Sequence, residues 1–175
     1  MKLGMVGLGR MGSGMTRRLE KHGLEVATYD PNVPSTAKSL RALAKQLEPP
    51  RHVWLMVPSG QVTEDTIRKL HPILEPGDTI IDGGNSNWRD SIRRGGEAKK
   101  LKLQFVDVGV SGGIWGLEAG FCLMAGGAKA PVKRLTPVFE ARTDGSFAFL
   151  TTGKFLSSAP GGGAGGVSIT FYERN

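Results

Sequence analysis

With one cysteine, Cys122, in 175 residues, this sequence cannot close an internal disulfide and reads as the product of a reducing compartment. Its three histidines, His22, His52 and His71, are scattered without metal-ligand spacing, so no metal is expected. No apolar run approaches the ~18 residues that a membrane-spanning helix requires. The opening Met1-Lys2-Leu3-Gly4-Met5-Val6 enters a strand pattern directly, without the apolar stretch and small-residue cleavage site of a secretory leader. A cytoplasmic location away from membranes is the expectation. Acidic residues are in deficit: 23 Lys+Arg against 16 Asp+Glu leave a formal charge of +7. The surplus is dispersed as short pairs, Arg17-Arg18, Arg93-Arg94, Lys99-Lys100 and Lys133-Arg134, with no long basic tract and no interleaved aromatics. Such pairs read as solvated helix faces with a modest pull on small anions, and nucleic acid is not an expected partner.

Glycine, by contrast, is plentiful, with 26 residues, many of them where strand patterns give way to helix patterns. Leu3 to Gly7 is a short apolar run, and Met11 to His22 carries helical periodicity. Glu25 to Tyr29 is a second strand, closed by the turn formers Asp30-Pro31-Asn32. Ser35 to Leu47 predicts a helix with Ser35 or Thr36 as N-cap, stopped by Pro49-Pro50. His52 to Val57 reads as a buried strand, Gln61 to Leu74 as a helix and Thr79 to Asp82 as a strand. Asn87 to Leu101 is the next helix, followed by strands at Gln104 to Val108 and Gly120 to Met124 and a helix at Ala130 to Ala141. Ser146 to Leu150 is a candidate for one more strand. This alternation predicts an α/β fold of the Rossmann type, a doubly wound, mostly parallel sheet with helices on both faces. Met5, Leu55, Met56, Ile80 and Ile81 are expected in the sheet core and Cys122 as inert packing inside a strand. Trp115 and Phe121 read as core, interface or substrate-facing side chains.

Gly7-Leu8-Gly9-Arg10-Met11-Gly12 is a G-x-G-x-x-G turn standing between the first strand and the first helix. The first glycine permits the tight turn, the second lets the backbone approach a diphosphate, and the third lets helix and strand pack closely. The helix N-terminus beyond it offers free N–H groups and partial positive charge to phosphates. Asp30, at the end of the second strand, has the spacing of a carboxylate that accepts hydrogen bonds from adenine-ribose hydroxyls. A carboxylate there repels a 2′-phosphate, so NAD is expected and NADP disfavoured; the alternative is a plain turn residue ahead of Pro31. Arg10 either reaches the diphosphate or is solvated. Residues 1–150 are expected to form this dinucleotide-binding domain. Residues 151–175, which include the low-complexity run Gly161-Gly162-Gly163-Ala164-Gly165-Gly166, are too few for a second one.

In open α/β sheets ligands gather at the carboxyl ends of the strands, where three further loops fall. Val57-Pro58-Ser59 would lie beside the adenosine and the nicotinamide ribose, or would simply lead into a helix with Ser59 near its cap. In Asp82-Gly83-Gly84-Asn85-Ser86 the glycines allow a sharp turn, and the Asn85 amide can hold a carboxamide or a substrate hydroxyl. Asn85 or Ser86 can equally cap the following helix. In Val110-Ser111-Gly112-Gly113 small side chains leave room for a substrate, with Ser111 and two backbone N–H groups as a compact anion or hydroxyl site; an ordinary glycine turn is the alternative.

Together the turn at Gly7 to Gly12, Asp82-Gly83-Gly84-Asn85-Ser86, Val110-Ser111-Gly112-Gly113 and Leu123-Met124-Ala125-Gly126-Gly127 resemble the β-hydroxyacid dehydrogenase superfamily. The run Asp107-Val108-Gly109-Val110-Ser111-Gly112-Gly113-Ile114-Trp115-Gly116-Leu117-Glu118 resembles, more narrowly, the short NAD-preferring branch of the decarboxylating 6-phosphogluconate dehydrogenases. The resemblance covers residues 1 to about 140. It implies an oxidoreductase of the pentose phosphate pathway and of gluconate utilization. C3 of 6-phosphogluconate is oxidised by hydride transfer to a nicotinamide, CO₂ is lost, and protonation of an enediol gives ribulose 5-phosphate. It also implies that Gly7, Leu8, Gly9, Arg10, Met11, Gly12 and Asp30 bind the dinucleotide, with Val57 and Pro58 alongside. Asn85 would touch both cofactor and sugar acid, and Ser111, Gly112 and Gly113 would hold the substrate's carboxylate and hydroxyls. The partner implied is a small phosphorylated sugar acid.

The pattern departs from the family beyond that region. The family continues with G-x-G-A-G-H, then a helix carrying a lysine base, a His-Asn pair and a glutamate acid. Here Gly166 stands at the histidine position and Val167-Ser168-Ile169-Thr170-Phe171-Tyr172 follows without lysine, histidine or asparagine. Lys154 precedes the glycine run and does not correspond to the base, so no catalytic residue is assigned. The chain resembles a cofactor-binding half joined to an unrelated tail, a truncated or frame-shifted copy. An apolar patch is expected where a helical second domain would dock, with self-association as a consequence. A non-catalytic NAD-binding module is the alternative.

Overall fold

The computed structural model describes residues 1–111, 121–142 and 147–151. Strands β1 (Lys2–Val6), β2 (Glu25–Tyr29), β3 (His52–Leu55), β4 (Thr79–Asp82), β5 (Gln104–Ser111), β6 (Cys122–Gly127) and β7 (Phe147–Thr151) form one sheet in the order β2-β1-β3-β4-β5-β6-β7. Every neighbouring pair is parallel except β5–β6. Helices α1 (Arg10–Lys21), α2 (Leu40–Lys45), α3 (Gln61–Leu70), α4 (Trp88–Lys100), α5 (Lys129–Arg134) and α6 (Thr136–Arg142) occupy its two faces. The chain leaves β1 towards β2 on one side and returns to β3 on the other, so the strand order reverses between β1 and β3. That reversal opens the crevice in which such sheets bind ligands.

The core follows from strand alternation. Leu3, Met5, Trp54 and Ile81 point to one face, where Met15 and Leu19 of α1, Val132 of α5, Leu135 between the two helices, and Val138 and Phe139 of α6 bury them. Val53, Leu55 and Ile80 point to the other, against Leu40 and Leu43 of α2, Ile67 and Leu70 of α3 and Ala98 of α4. Met5, Leu55, Ile80 and Ile81 are buried as expected, whereas Met56 is half-buried at the end of β3. Phe121 is core. Cys122 is not: it opens β6 with its side chain exposed. Trp115, Gly112 and Gly113, Lys154 and the glycine run lie outside the described residues.

Several element boundaries differ from the sequence pattern: β3 and α3 end earlier than expected and β5 runs later, and three further changes have a clear physical cause. The predicted helix from Ser35 shrinks to α2, capped by Ser39, whose hydroxyl accepts from the Ala42 N–H at 3.1 Å. Residues 35–37 run beside β2 instead: Thr36 Oγ1 accepts from the Thr28 N–H at 2.8 Å, and the Ala37 N–H donates to the Thr28 carbonyl. Side-chain bonding to a strand edge outcompetes the first helical turn there. The predicted helix from Ala130 to Ala141 is broken into α5 and α6, because Pro137 has no N–H to continue the ladder. The sixth strand runs later than expected, taking in Gly126 and Gly127. Gly127 is a packing position, since a Cβ there would stand 3.0 Å from the Phe105 carbonyl oxygen.

Candidate functional site

The glycine turn lies at the carboxyl end of β1, with each glycine in its own role. Gly7 has φ +92, and a Cβ there would overlap the Met56 carbonyl. A Cβ on Gly12 would overlap the Gly7 carbonyl oxygen, so close packing of α1 on the turn demands glycine. A Cβ on Gly9 would meet nothing within 4 Å. Gly9 is the N-cap of α1, with no side chain accepting from the first-turn amides and no acidic residue in that turn. Helix geometry leaves those amides without intrahelical acceptors. The result is an open, positively polarised concavity that a diphosphate fits. Leu8 and Met11 are half-buried beside it, and Arg10 is exposed.

Asp30 is drawn to this turn. Its Oδ2 accepts from the Leu8 N–H at 2.7 Å and its Oδ1 from the Asn32 N–H at 2.8 Å. It is therefore a turn residue, as one of the two expectations had it, and the carboxylate simultaneously fixes the β2 end against the glycine turn. Each oxygen keeps a further lone pair for a ribose hydroxyl.

The remaining loops join in sequence across the crevice. Val57 is half-buried and Pro58 exposed after β3, and Val57 Cγ1 lies 3.1 Å from the position of a Cβ on Gly7. After β4, a Cβ on Gly84 would be 2.7 Å from the Val57 carbonyl oxygen, and one on Gly83 would be 2.8 Å from Met56 Sδ. Gly83 and Gly84 thus serve close approach to β3. The left-handed residue of this turn is Asn85, at φ 57, with its side chain exposed. Helix α4 is capped by Asn87, which accepts from the Arg89 N–H at 3.0 Å, and α3 by Gly60. Neither Asn85, Ser86 nor Ser59 is a cap, leaving the Asn85 amide available. Ser111 stands exposed at the end of β5, where residues 108–111 run past β4 and pair only with β6.

Beneath the Asn85 turn lies a polar cluster that the sequence reading missed. Arg94, read there as solvated, is 1% exposed. Its Nε donates to Glu64 Oε2 at 3.1 Å, and its Nη1 donates to Asp82 Oδ2 at 3.1 Å and to Ser86 Oγ at 3.0 Å. Ser86 Oγ in turn donates to Asp82 Oδ2 at 2.8 Å, while Asp82 Oδ1 accepts from the Gly84 N–H at 3.0 Å. Arg93 reaches Glu64 from outside, Nη2 to Oε2 at 2.7 Å. The Arg93 hydrogen bond above all, aided by Arg94, holds the Glu64 carboxyl down at about 2. The signal was present: Ser91, Arg94 and Ala98 form the inward stripe of α4, an arginine at a position of apolar periodicity.

Asp107 pairs with Asp82 in the β4–β5 register, so the two carboxylates share a face. Burial first, then the Asp82 charge, raise Asp107 from 3.8 to about 6, against the opposing effects of the Ser91 hydroxyl and Arg94. The folded state favours the protonated form, so the native protein loses stability as pH rises from 3.8 through about 6. Asp107→Asn, which mimics that form, is expected to be more stable than the parent near pH 8 by about 1–3 kcal/mol. The gap should close below pH 4; urea denaturation at both pH values checks it.

Among the described residues, the large hydrophobic side chains left exposed include Val62 of α3 and Trp88 and Ile92, four apart on α4. No helix of the described residues is long and apolar enough to cross a membrane.

A glycine turn at a helix N-terminus, at the point where a parallel sheet reverses its strand order, defines a dinucleotide-binding α/β domain. Residues 2–152 match the model of the NAD binding domain of 6-phosphogluconate dehydrogenase, and the chain belongs to that family. It is 37% identical over 155 residues to the NAD(+)-dependent, decarboxylating 6-phosphogluconate dehydrogenase of Haloferax volcanii, a match covering 83% of this chain and 51% of that one. Among solved structures, Plasmodium falciparum 6-phosphogluconate dehydrogenase, determined apo, with NADP+ and with 6-phosphogluconate, superposes with a TM-score of 0.77 at 25% identity. That match covers 82% of this chain and 34% of that one. Mycobacterium tuberculosis 3-hydroxyisobutyrate dehydrogenase has the same fold, with a TM-score of 0.73 at 24% identity over 86% of this chain and 54% of its own. The chain thus spans about half the length of the Haloferax relative and less of the Plasmodium one.

Proposed function

We propose that this chain is the cofactor-binding half of a 6-phosphogluconate dehydrogenase-like oxidoreductase, taking NAD in preference to NADP and facing a phosphorylated sugar acid. The open space over Gly9, at the uncompensated N-terminus of α1, carries the reading. Gly7 through Gly12 hold the diphosphate, Asp30 the adenine ribose, and Val57 and Pro58 the middle of the dinucleotide. Asn85 orients the nicotinamide end and the sugar acid together, and Ser111, with Gly112 and Gly113, receives the substrate's carboxylate and hydroxyls. When bound, the nicotinamide supplies the hydride acceptor. The chain's own residues bind and orient; none of those assigned here removes the proton from the reacting hydroxyl. Gly166, at the family's histidine position, favours a second reading, a non-catalytic NAD-binding module.

Titration calorimetry with each dinucleotide, with and without 6-phosphogluconate, tests the proposal. NAD is expected to bind at least ~10-fold tighter than NADP, a difference of about 1.4 kcal/mol. Equal affinities would remove the role given to Asp30, and no binding of either would overturn the reading. A polypeptide of these 175 residues is expected to show no NAD-dependent decarboxylation of 6-phosphogluconate. Robust turnover would place a base within it.

A further inference from the structure

The buried guanidinium of Arg94 contacts two loops at once. On one side its Nε holds Glu64, in the first turn of α3. The neighbouring Thr63 donates its hydroxyl to the Pro58 carbonyl at 2.8 Å, which fixes the loop after β3. On the other side Nη1 holds Asp82 and Ser86, the residues at either end of the Gly83-Gly84-Asn85 turn. Gly84 sits between the two loops: a Cβ on it would stand 2.7 Å from the Val57 carbonyl oxygen and 3.5 Å from Thr63 Oγ1. Asn85 keeps a left-handed backbone, a conformation that persists in a non-glycine residue when its surroundings over-determine it.

Resting on the reading that Pro58 and Asn85 flank one cofactor, we propose that Arg94 is a positioning residue. By pairing with Glu64 and Asp82 together it locks the β3–α3 and β4–α4 loops into one unit, so that Asn85 meets the ligand at a fixed distance from Pro58. Arg94 itself touches no ligand. A planar fork with separate donors is required: a lysine ammonium is a point charge and cannot span both carboxylates in the same geometry.

The test is amide hydrogen exchange on the whole 175-residue chain, parent against Arg94→Lys, with NAD affinity measured in parallel. The reporters are the Gly83 N–H, bonded to the Leu55 carbonyl, the Gly84 N–H, bonded to Asp82, and the Glu64 N–H, bonded to the Gly60 carbonyl. These should exchange on the order of tenfold faster in the variant through local opening, while the amides of β1 change by a smaller factor. NAD affinity should fall by about tenfold, 1.4 kcal/mol. Acceleration by one common factor across β1 and the loops would make Arg94 a stabiliser of the fold alone and overturn the proposal, as would unchanged loop amides. If Arg94→Lys does not fold, Ser86→Ala, which removes the hydroxyl shared by Arg94 and Asp82, is read in the same way and should show the same loop-confined pattern. A parent chain that binds no NAD would sink the cofactor reading, yet the exchange pattern would still decide whether Arg94 locks the loops.

Discussion

Valine in place of Gly9 is expected to weaken NAD binding at least ~100-fold, about 2.7 kcal/mol, while leaving the fold intact. Gly9 has φ −59 and ψ −176, extended backbone open to any L-residue, and its Cβ would meet no atom within 4 Å. The new side chain would occupy the space assigned to the diphosphate. Stability should change by less than about 1 kcal/mol, the scale of an N-cap substitution. The melting temperature should therefore move by only about 2–4 °C. Gly12→Val provides the contrast: its Cβ would overlap the Gly7 carbonyl, so stability and binding should fall together. Calorimetry paired with thermal melts separates the two cases. Parent-like affinity in Gly9→Val would mean that the diphosphate does not cross this turn.

Arg94→Met is expected to produce the largest loss of stability, about 3–5 kcal/mol, because it removes the cation while leaving its partner buried. Asp82 has no exposed side-chain surface, and Arg94 is its only ion-pair partner among the described residues. Glu64 fares better, since Arg93 still pairs with it at 2.7 Å. Urea denaturation near pH 7.5 gives the value. A loss below about 1 kcal/mol would mean that dehydration of the pair cancels its attraction.

Local patterns with one physical cause were legible in the sequence. The glycine turn, the β-α alternation and the buried strands at His52 and Thr79 each rest on a single strong preference, steric or hydrophobic, and the structure follows them. Misreadings arose where two preferences compete. Thr36 is a good N-cap, but its hydroxyl is taken by the edge of β2. The sequence pattern ends the sixth strand at Met124, yet the strand runs on through Gly127, where the backbone of β5 passes close. The polar cluster escaped for a different reason. Charge on a helix is normally solvated, and only the coincidence of Arg94 with the inward stripe of α4 distinguishes it from Arg93. The partners that make its burial tolerable, Glu64 and Asp82, come from other elements. Asp30 shows that competing readings need not exclude each other, because one carboxylate serves the turn and retains acceptor capacity.

The glycine turn feeds α1, whose apolar side chains pack on one face of the sheet, while the Asn85 turn feeds α4, packed on the opposite face. The two ends of the proposed dinucleotide groove are therefore upholstered by different layers, and the strands are the only rigid partition common to both. Trp54 belongs to both ends: its ring meets Phe139 on the α1 side, while its Nε1 would meet a Cβ on Gly83 in the Asn85 turn. Softening it would slacken both ends of the groove, whereas injury in the α3–α4 layer would fall on the Asn85 end.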